Sequence, residues 1–236
     1  MGFFAGACLL GSGCVSLRPD LVLVEHVEFR GAERAAPGEL RHLSDVRNGV
    51  TMWAVDMDRA ERGVQTHPWV ESAVAYREWP ASVVIEVQER SPVALVELEG
   101  DLYYVDNRAR PFVRAVSGDL DYPVITGIDT GLARIHPDIP RLVLSEALWL
   151  LTEAESRGIF DVADVSEIWC SPSLGYDVHL LGGSTVAFGL GGLSGQMERL
   201  AQLVAADVDL ESPHWVDLAP ATVAIVRPLS PAGSAG

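Results

Sequence analysis

The stretch HPWVESAVAYREWPASVVIEVQERSPV, His67 to Val93, leaves a chain few ways to fold. A proline ring fixes its own φ and removes the backbone donor, so Pro68, Pro80 and Pro92 are all barred from the interior of a hydrogen-bonded ladder. Trp69 to Tyr76 alternates between side-chain classes and reads as a strand. Pro80 then belongs to a turn, and Ser82 to Glu89 returns as a second strand with Val83, Ile85 and Val87 on one face. A hairpin punctuated at both ends has little freedom to slip register. Trp69, Val74, Trp79 and Ile85 are expected to be largely buried. The two tryptophans read better as anchors of the strand ends than as an exposed binding platform.

The residues before this hairpin complete a small domain. Val22 to Phe29 reads as a strand ended by Arg30-Gly31. Pro37 suits a helix first turn, and Leu40, Leu43 and Val46 recur on one side of that helix. Asn48-Gly49 marks a turn. Asp56 is placed to cap a second helix, which carries Met57, Ala60 and Val64 on one face and Asp58, Arg59, Glu61 and Arg62 around the other. The order is β-α-α-β-β, and two helices covering one face of a three-stranded sheet satisfy it.

A second region opens at Pro92. VALVEL, DLYYVDN and PFV read as short strands, residues 127 to 140 as a loop, and Arg141 to Ser156 as a Leu-rich helix. VSEIWC, GYDVHLL and STVAFGL read as further strands, and Met197, Leu200, Val204 and Val208 mark another helix. TVAIV is the last strand before the tail PLSPAGSAG. The expected class is α+β, the second region being a mainly antiparallel β domain with two helices.

Chemistry has few footholds. The net charge of −16, with 33 acids against 17 bases that are all arginine, repels phosphate backbones and argues against nucleic-acid binding. The cysteines, Cys8, Cys14 and Cys170, give neither a disulfide framework nor a four-cysteine zinc site. The histidines are scattered without metal-ligand spacing. Asp56, Asp58 and Glu61 fit helix capping and dipole compensation better than a metal site. The loop GLGGLSG, Gly189 to Gly195, has a spacing seen in dinucleotide loops, with Asp209 further on. No parallel strand is expected after its helix, so it reads as a turn. No catalytic residue, cofactor, metal or small-molecule substrate is assigned.

Gly2 to Leu17 carries no charge. Sixteen helical residues reach roughly 24 Å, short of the ~30 Å hydrocarbon core, and the first charge is Arg18. The expectation is a membrane-anchor remnant whose N-terminal portion is missing. A cleaved signal peptide, a lipoprotein signal ending at Cys14 and a buried helix are the alternatives.

From about Val24 to Arg227 the order of elements resembles the FtsQ/DivIB family of bacterial cell-division proteins. The most specific segment is the opening one, through Pro68-Trp69-Val70, Arg77, Trp79-Pro80, Glu89-Arg90 and Pro92. YYVDNRARPF and VDLAPATVAIVRP resemble the segments that follow, although family members commonly carry an Arg and an aromatic residue where this chain has Ala219-Pro220. The resemblance implies a polypeptide-transport-associated (POTRA) domain over 21–90, a β domain over 91–228, an apolar anchor over 1–20 and a flexible tail over 229–236. It implies a non-enzymatic scaffold of the divisome, held in the inner membrane with its folded domains in the periplasm, at the septum. The last strand has no later strand in sequence to cover it; at a sheet edge it would accept an extended partner segment by strand addition, and an interior strand is the alternative. The resemblance points to the same place, Thr222, Val223, Ala224, Ile225, Val226 and Arg227, as the dock for FtsB-like and FtsL-like bitopic partners. Arg227 is the candidate for pairing with partner acids. The alternative is a POTRA protein of outer-membrane assembly or secretion.

Overall fold

The computed structural model describes residues 22–116, 121–128, 131 and 138–229. The chain divides into two compact units, one running up to Glu89 and the other starting at Arg90.

The first unit contains β1 (His26–Arg30), α1 (Pro37–Ser44), a 3-10 turn (Met52–Ala54), α2 (Met57–Val64), β2 (Val70–Glu78) and β3 (Ser82–Glu89). Its sheet order is β1-β3-β2, with β1 parallel and β2 antiparallel to the central strand. Each helix starts where its sequence directs. Pro37 occupies the first turn of α1, and the Asp56 carboxylate accepts the Arg59 N–H at 3.0 Å at the start of α2. The helices touch at Gly63, where an added Cβ would lie 2.1 Å from the Leu43 carbonyl oxygen. Leu40, Ala60 and Val64 from the helices pack with Val27, Ala73, Ala75, Val83, Ile85 and Val87 in one core.

Two expectations about that core are corrected. Val74 is 56% exposed because it sits out of phase with Ala73 and Ala75, on the sheet face that the helices leave bare. Trp79 is 59% exposed, at the tip of the β2–β3 turn, where it joins Pro80 through a cis peptide bond. The core that the helices and sheet enclose does not include this tip residue, so its ring stays mostly in water. Ile85 is fully buried, and Trp69 is half-buried with the Arg34 guanidinium 4.6 Å from its ring centre.

The second unit contains β4 (Pro92–Leu98), β5 (Asp101–Asp106), β6 (Pro111–Arg114), β7 (Val124–Thr126), α3 (Asp138–Ser156), β8 (Val165–Ser171), β9 (Gly175–Leu180), β10 (Thr185–Phe188), α4 (Leu193–Ala205), β11 (His214–Asp217) and β12 (Ile225–Pro228). They form a nine-stranded sheet in the order β12-β11-β10-β9-β8-β7-β4-β5-β6. Neighbours are mostly antiparallel, but β4–β7, β7–β8 and β10–β11 are parallel. The last two pairs are joined through helices, as parallel strands require. Leu144, Leu148 and Leu151 of α3 and Met197 and Leu200 of α4 close over Val96, Ile125, Ile168, Val178, Val186 and Val216.

The helix expected from Arg141 is already formed at Asp138, where the described residues resume, and Pro140 lies within it. The strands β7 and β11 are too short, at three and four residues, to show a period of two against their surroundings. Among the described residues no helix is long and apolar enough to cross a membrane. The apolar segment Gly2–Leu17, Cys8 and Cys14 lie outside the described residues.

Candidate partner-binding edge

The last strand is an edge: β12 pairs with β11 alone, Trp215 opposite Arg227, Val216 opposite Val226 and Asp217 opposite Ile225. Its limits correct the expected strand. Thr222, Val223 and Ala224 precede the ladder, which runs from Ile225 to Pro228. The Leu229 N–H donates to the Pro213 carbonyl at 2.8 Å. Antiparallel pairing alternates from that point, so Arg227 and Ile225 turn their backbone groups toward β11. Val226 and Pro228, with Ala224 continuing the alternation just ahead of the strand, turn theirs outward. The outer edge therefore offers N–H donors at Ala224 and Val226, and Pro228 contributes only a carbonyl. Ala224 and Val226 pack their side chains on the core.

The edges of the small sheet differ. On β1 the Val27 carbonyl accepts from Arg41 at 3.0 Å and the Glu25 carbonyl, just before the strand, accepts from Asn48 at 2.6 Å. On β2 the Ala75 N–H donates to Glu61 at 2.8 Å and the Ala73 carbonyl accepts from Gln65 at 3.2 Å. Side chains thus occupy the positions that an incoming strand would need. Among the described residues none occupies those of Ala224, Val226 and Pro228. At the far end of the large sheet β6 is four residues long and opens with Pro111.

The crossover from β10 to β11 sets β12 in place. It contains GLGGLSG, and the parallel β10–β11 pair overturns the expectation that no parallel strand follows this loop. The loop is nonetheless filled by the protein itself. Buried Gln196 accepts the Gly189 N–H at 2.7 Å and donates to the carbonyls of Gly189 at 3.2 Å and Gly191 at 2.7 Å. The amide that would face a phosphate is already taken. At Gly189 a Cβ would stand 3.0 Å from Ala219, so the glycine makes room for the bend that leads into β12. Arg199, one turn further along α4, donates to the carbonyls of Leu218 at 2.7 Å and Pro220 at 3.1 Å.

The sheet face away from the helices carries Glu167 of β8, Asp177 and His179 of β9, Trp215 and Asp217 of β11 and Arg227 of β12, with Thr185 of β10 between His179 and Trp215. Partial burial pushes the Asp177 carboxyl above the usual carboxylate range; the Asp217 charge adds to this and His179 opposes it.

The residues that carry the family resemblance fasten the chain locally. Arg77 donates to the carbonyls of Met52 at 3.0 Å and Val55 at 2.8 Å, with its guanidinium 5.3 Å from the Trp53 ring centre. Glu89 accepts the N–H groups of Glu33, Arg34 and Ala35. Arg90 pairs with buried Asp106. Pro68 lies in the turn between α2 and β2, Val70 begins β2 inside the core, Pro80 sits in the hairpin turn and Pro92 begins β4. Sequence reasoning missed Gln196 and Arg199. The only available signal was two polar residues on the α4 helix that lies between two strands.

A small β-α-α-β-β sheet followed by a larger mixed sheet with an unshielded edge defines a POTRA-bearing protein of α+β class, and residues 22–90 match the family model for the FtsQ-type POTRA domain. The chain is 37% identical over 207 residues to the cell division protein FtsQ of Anaeromyxobacter sp. (strain K), covering 85% of this chain and 68% of that protein. It is 32% identical over 235 residues to the FtsQ of Geobacter sp. (strain M21), covering 95% and 85%. With the FtsQ of Syntrophotalea carbinolica it shares 31% identity over 202 residues, covering 85% and 69%. The chain belongs to the FtsQ family of cell-division proteins.

Proposed function

We propose that this chain is a non-enzymatic scaffold of the division machinery that docks the extracytoplasmic segments of FtsB-like and FtsL-like bitopic proteins by adding a strand to β12. One observation carries the reading: the outward donors at Ala224 and Val226 meet no side chain among the described residues, whereas both edges of the POTRA sheet are capped. Backbone pairing supplies affinity in such an addition, and alternate side chains supply selectivity. Arg227, exposed beside Trp215, is placed to meet an acid of the incoming strand. In this reading Gly2–Leu17 anchors the chain in the cell inner membrane, residues 21–90 and 91–228 stand in the periplasm, and the protein works at the septum.

Ala224→Pro removes one of the two outward donors ahead of the β11 ladder. The expected result is unchanged circular dichroism and at least a tenfold loss of affinity, on the order of one charge-neutral hydrogen bond with its desolvated partner. The ligand is a labelled synthetic peptide of the extracytoplasmic segment of the FtsB-like protein from the same genome. A folded variant with undiminished binding refutes strand addition at this edge.

A further inference from the structure

We propose that Arg199 is a positioning residue for the docking edge: its guanidinium clamps the bend 218–220 and so holds the outward N–H groups of Ala224 and Val226 ready for a partner strand. This rests on the reading of β12 as the docking strand. Between β11 and β12 the chain runs through 218–224 without regular structure. Among the described residues, the bonds from Arg199 to Leu218 and Pro220 are the side-chain hydrogen bonds that tie this bend to the helix layer. The other side-chain bond there is local, from the Ala219 N–H to Asp217 at 2.9 Å. Gly189 lets Ala219 approach closely, and Gln196 fixes the loop that contains Gly189. Within this crossover Gly189 and Arg199 thus meet the bend directly, and Gln196 supports it through Gly189. Leu218, which opens the bend, is also buried and its N–H donates to the Ala187 carbonyl at 2.8 Å, so it is the stretch after Leu218 that depends on Arg199 among the described residues.

The energetics also favour a positioning role. The Arg199 Nε is buried without a partner among the described residues. A buried unsatisfied donor costs stability, so a residue kept for stability alone would be better replaced by an apolar one. What the guanidinium supplies instead is geometry, because one Nη2 bonds two carbonyls two residues apart. An edge strand that must be ordered at the moment of binding loses affinity by the fraction of time it is competent. A strand already held in place does not incur that loss.

The test uses the whole chain and the labelled peptide named above. Arg199→Ala is expected to bind the peptide about tenfold more weakly, as a competent fraction near one tenth would give, with its melting temperature close to the parent's. In the absence of peptide, amide exchange over 219–227 is expected to rise while exchange in β8 to β10 stays unchanged. Arg199→Lys, which keeps the charge and a donor, is expected to recover part of both. Unchanged exchange over 219–227 in Arg199→Ala overturns the clamp. So does global loss of structure in Arg199→Ala together with Arg199→Lys, which would make the residue a general support. If the peptide fails to bind the parent chain, strand addition fails, and the exchange measurement still judges the clamp separately.

Discussion

Arg90 and Asp106 form an ion pair at 2.9 Å in which the carboxylate side chain is only 5% exposed. Asp106 also accepts the N–H groups of Arg108 and Arg110 at 2.9 Å, so one carboxylate closes the β5–β6 turn and fixes the start of the second unit. Arg110 is a second cationic partner, its Nε 3.4 Å from the same carboxylate. Arg90→Ala therefore removes one charge-assisted bond without isolating the buried charge, and is expected to lower the unfolding free energy by about 1.5–3 kcal/mol, read by urea titration. A loss below about 1 kcal/mol would mean that the backbone donors and Arg110 together satisfy Asp106.

Trp79 and Ile85 make opposite predictions within one hairpin. Trp79→Ala is expected to change stability by no more than about 0.5 kcal/mol, because the side chain is mostly in water. Ile85→Ala is expected to cost about 2–5 kcal/mol, because the side chain is wholly inside the core. Thermal melts of the two variants, run side by side, check the exposure of the hairpin tip.

The capped edge of β2 should become adhesive when its caps are removed. Glu61→Ala combined with Gln65→Ala frees the Ala75 N–H and the Ala73 carbonyl. Concentration-dependent self-association is expected in sedimentation velocity, absent from the parent chain. A strictly monomeric, folded double variant would show that the bare face and not the cap protects this edge.

Asp177 ties stability to pH in a defined direction. Its folded carboxyl titrates above the unfolded one because burial disfavours the charge. The folded state therefore binds more protons between the two values, and this residue's contribution falls as pH rises through that window. Asp177→Asn is expected to flatten that part of the profile, with the variant gaining on the parent as pH increases from about 4. Equal pH profiles for parent and variant would count against the burial of this carboxyl.

Cys170 is buried, and burial pushes its thiol up to about 12. Alkylation by iodoacetamide at neutral pH, followed by mass spectrometry of the peptide that contains Cys170, should be slow in the native chain and fast in urea.

The fold was legible where the signals were long. The Pro-bracketed hairpin, the Asp56 cap and the apolar face of α2 each rest on several residues that agree, and the β-α-α-β-β order follows from them. Val74 and Trp79 were misplaced because hydrophobicity gives a residue's preference but not the reach of the helices that would cover it. The strands β7 and β11 hold too few residues to display a period, and with β11 unseen the crossover through GLGGLSG could not be recognised. A place last in the chain made an edge position for β12 the expectation without excluding an interior one, because strands need not pair in chain order. Its start at Ile225 was hidden, since the bend before it is bonded to Arg199, a residue distant in sequence from the strand.

On the proposed reading of β12 as the docking strand, Pro228 gives the edge a reading frame. A strand seated on β12 finds donors at Ala224 and Val226, two residues apart, and a carbonyl without a donor at Pro228. Sliding the guest by two residues toward Pro228 keeps its side chains on the same faces but leaves one of its carbonyls with no N–H to meet. Sliding it by one turns every side chain to the wrong face. On that reading the edge rejects misaligned copies of the correct guest as well as strangers, using a missing hydrogen.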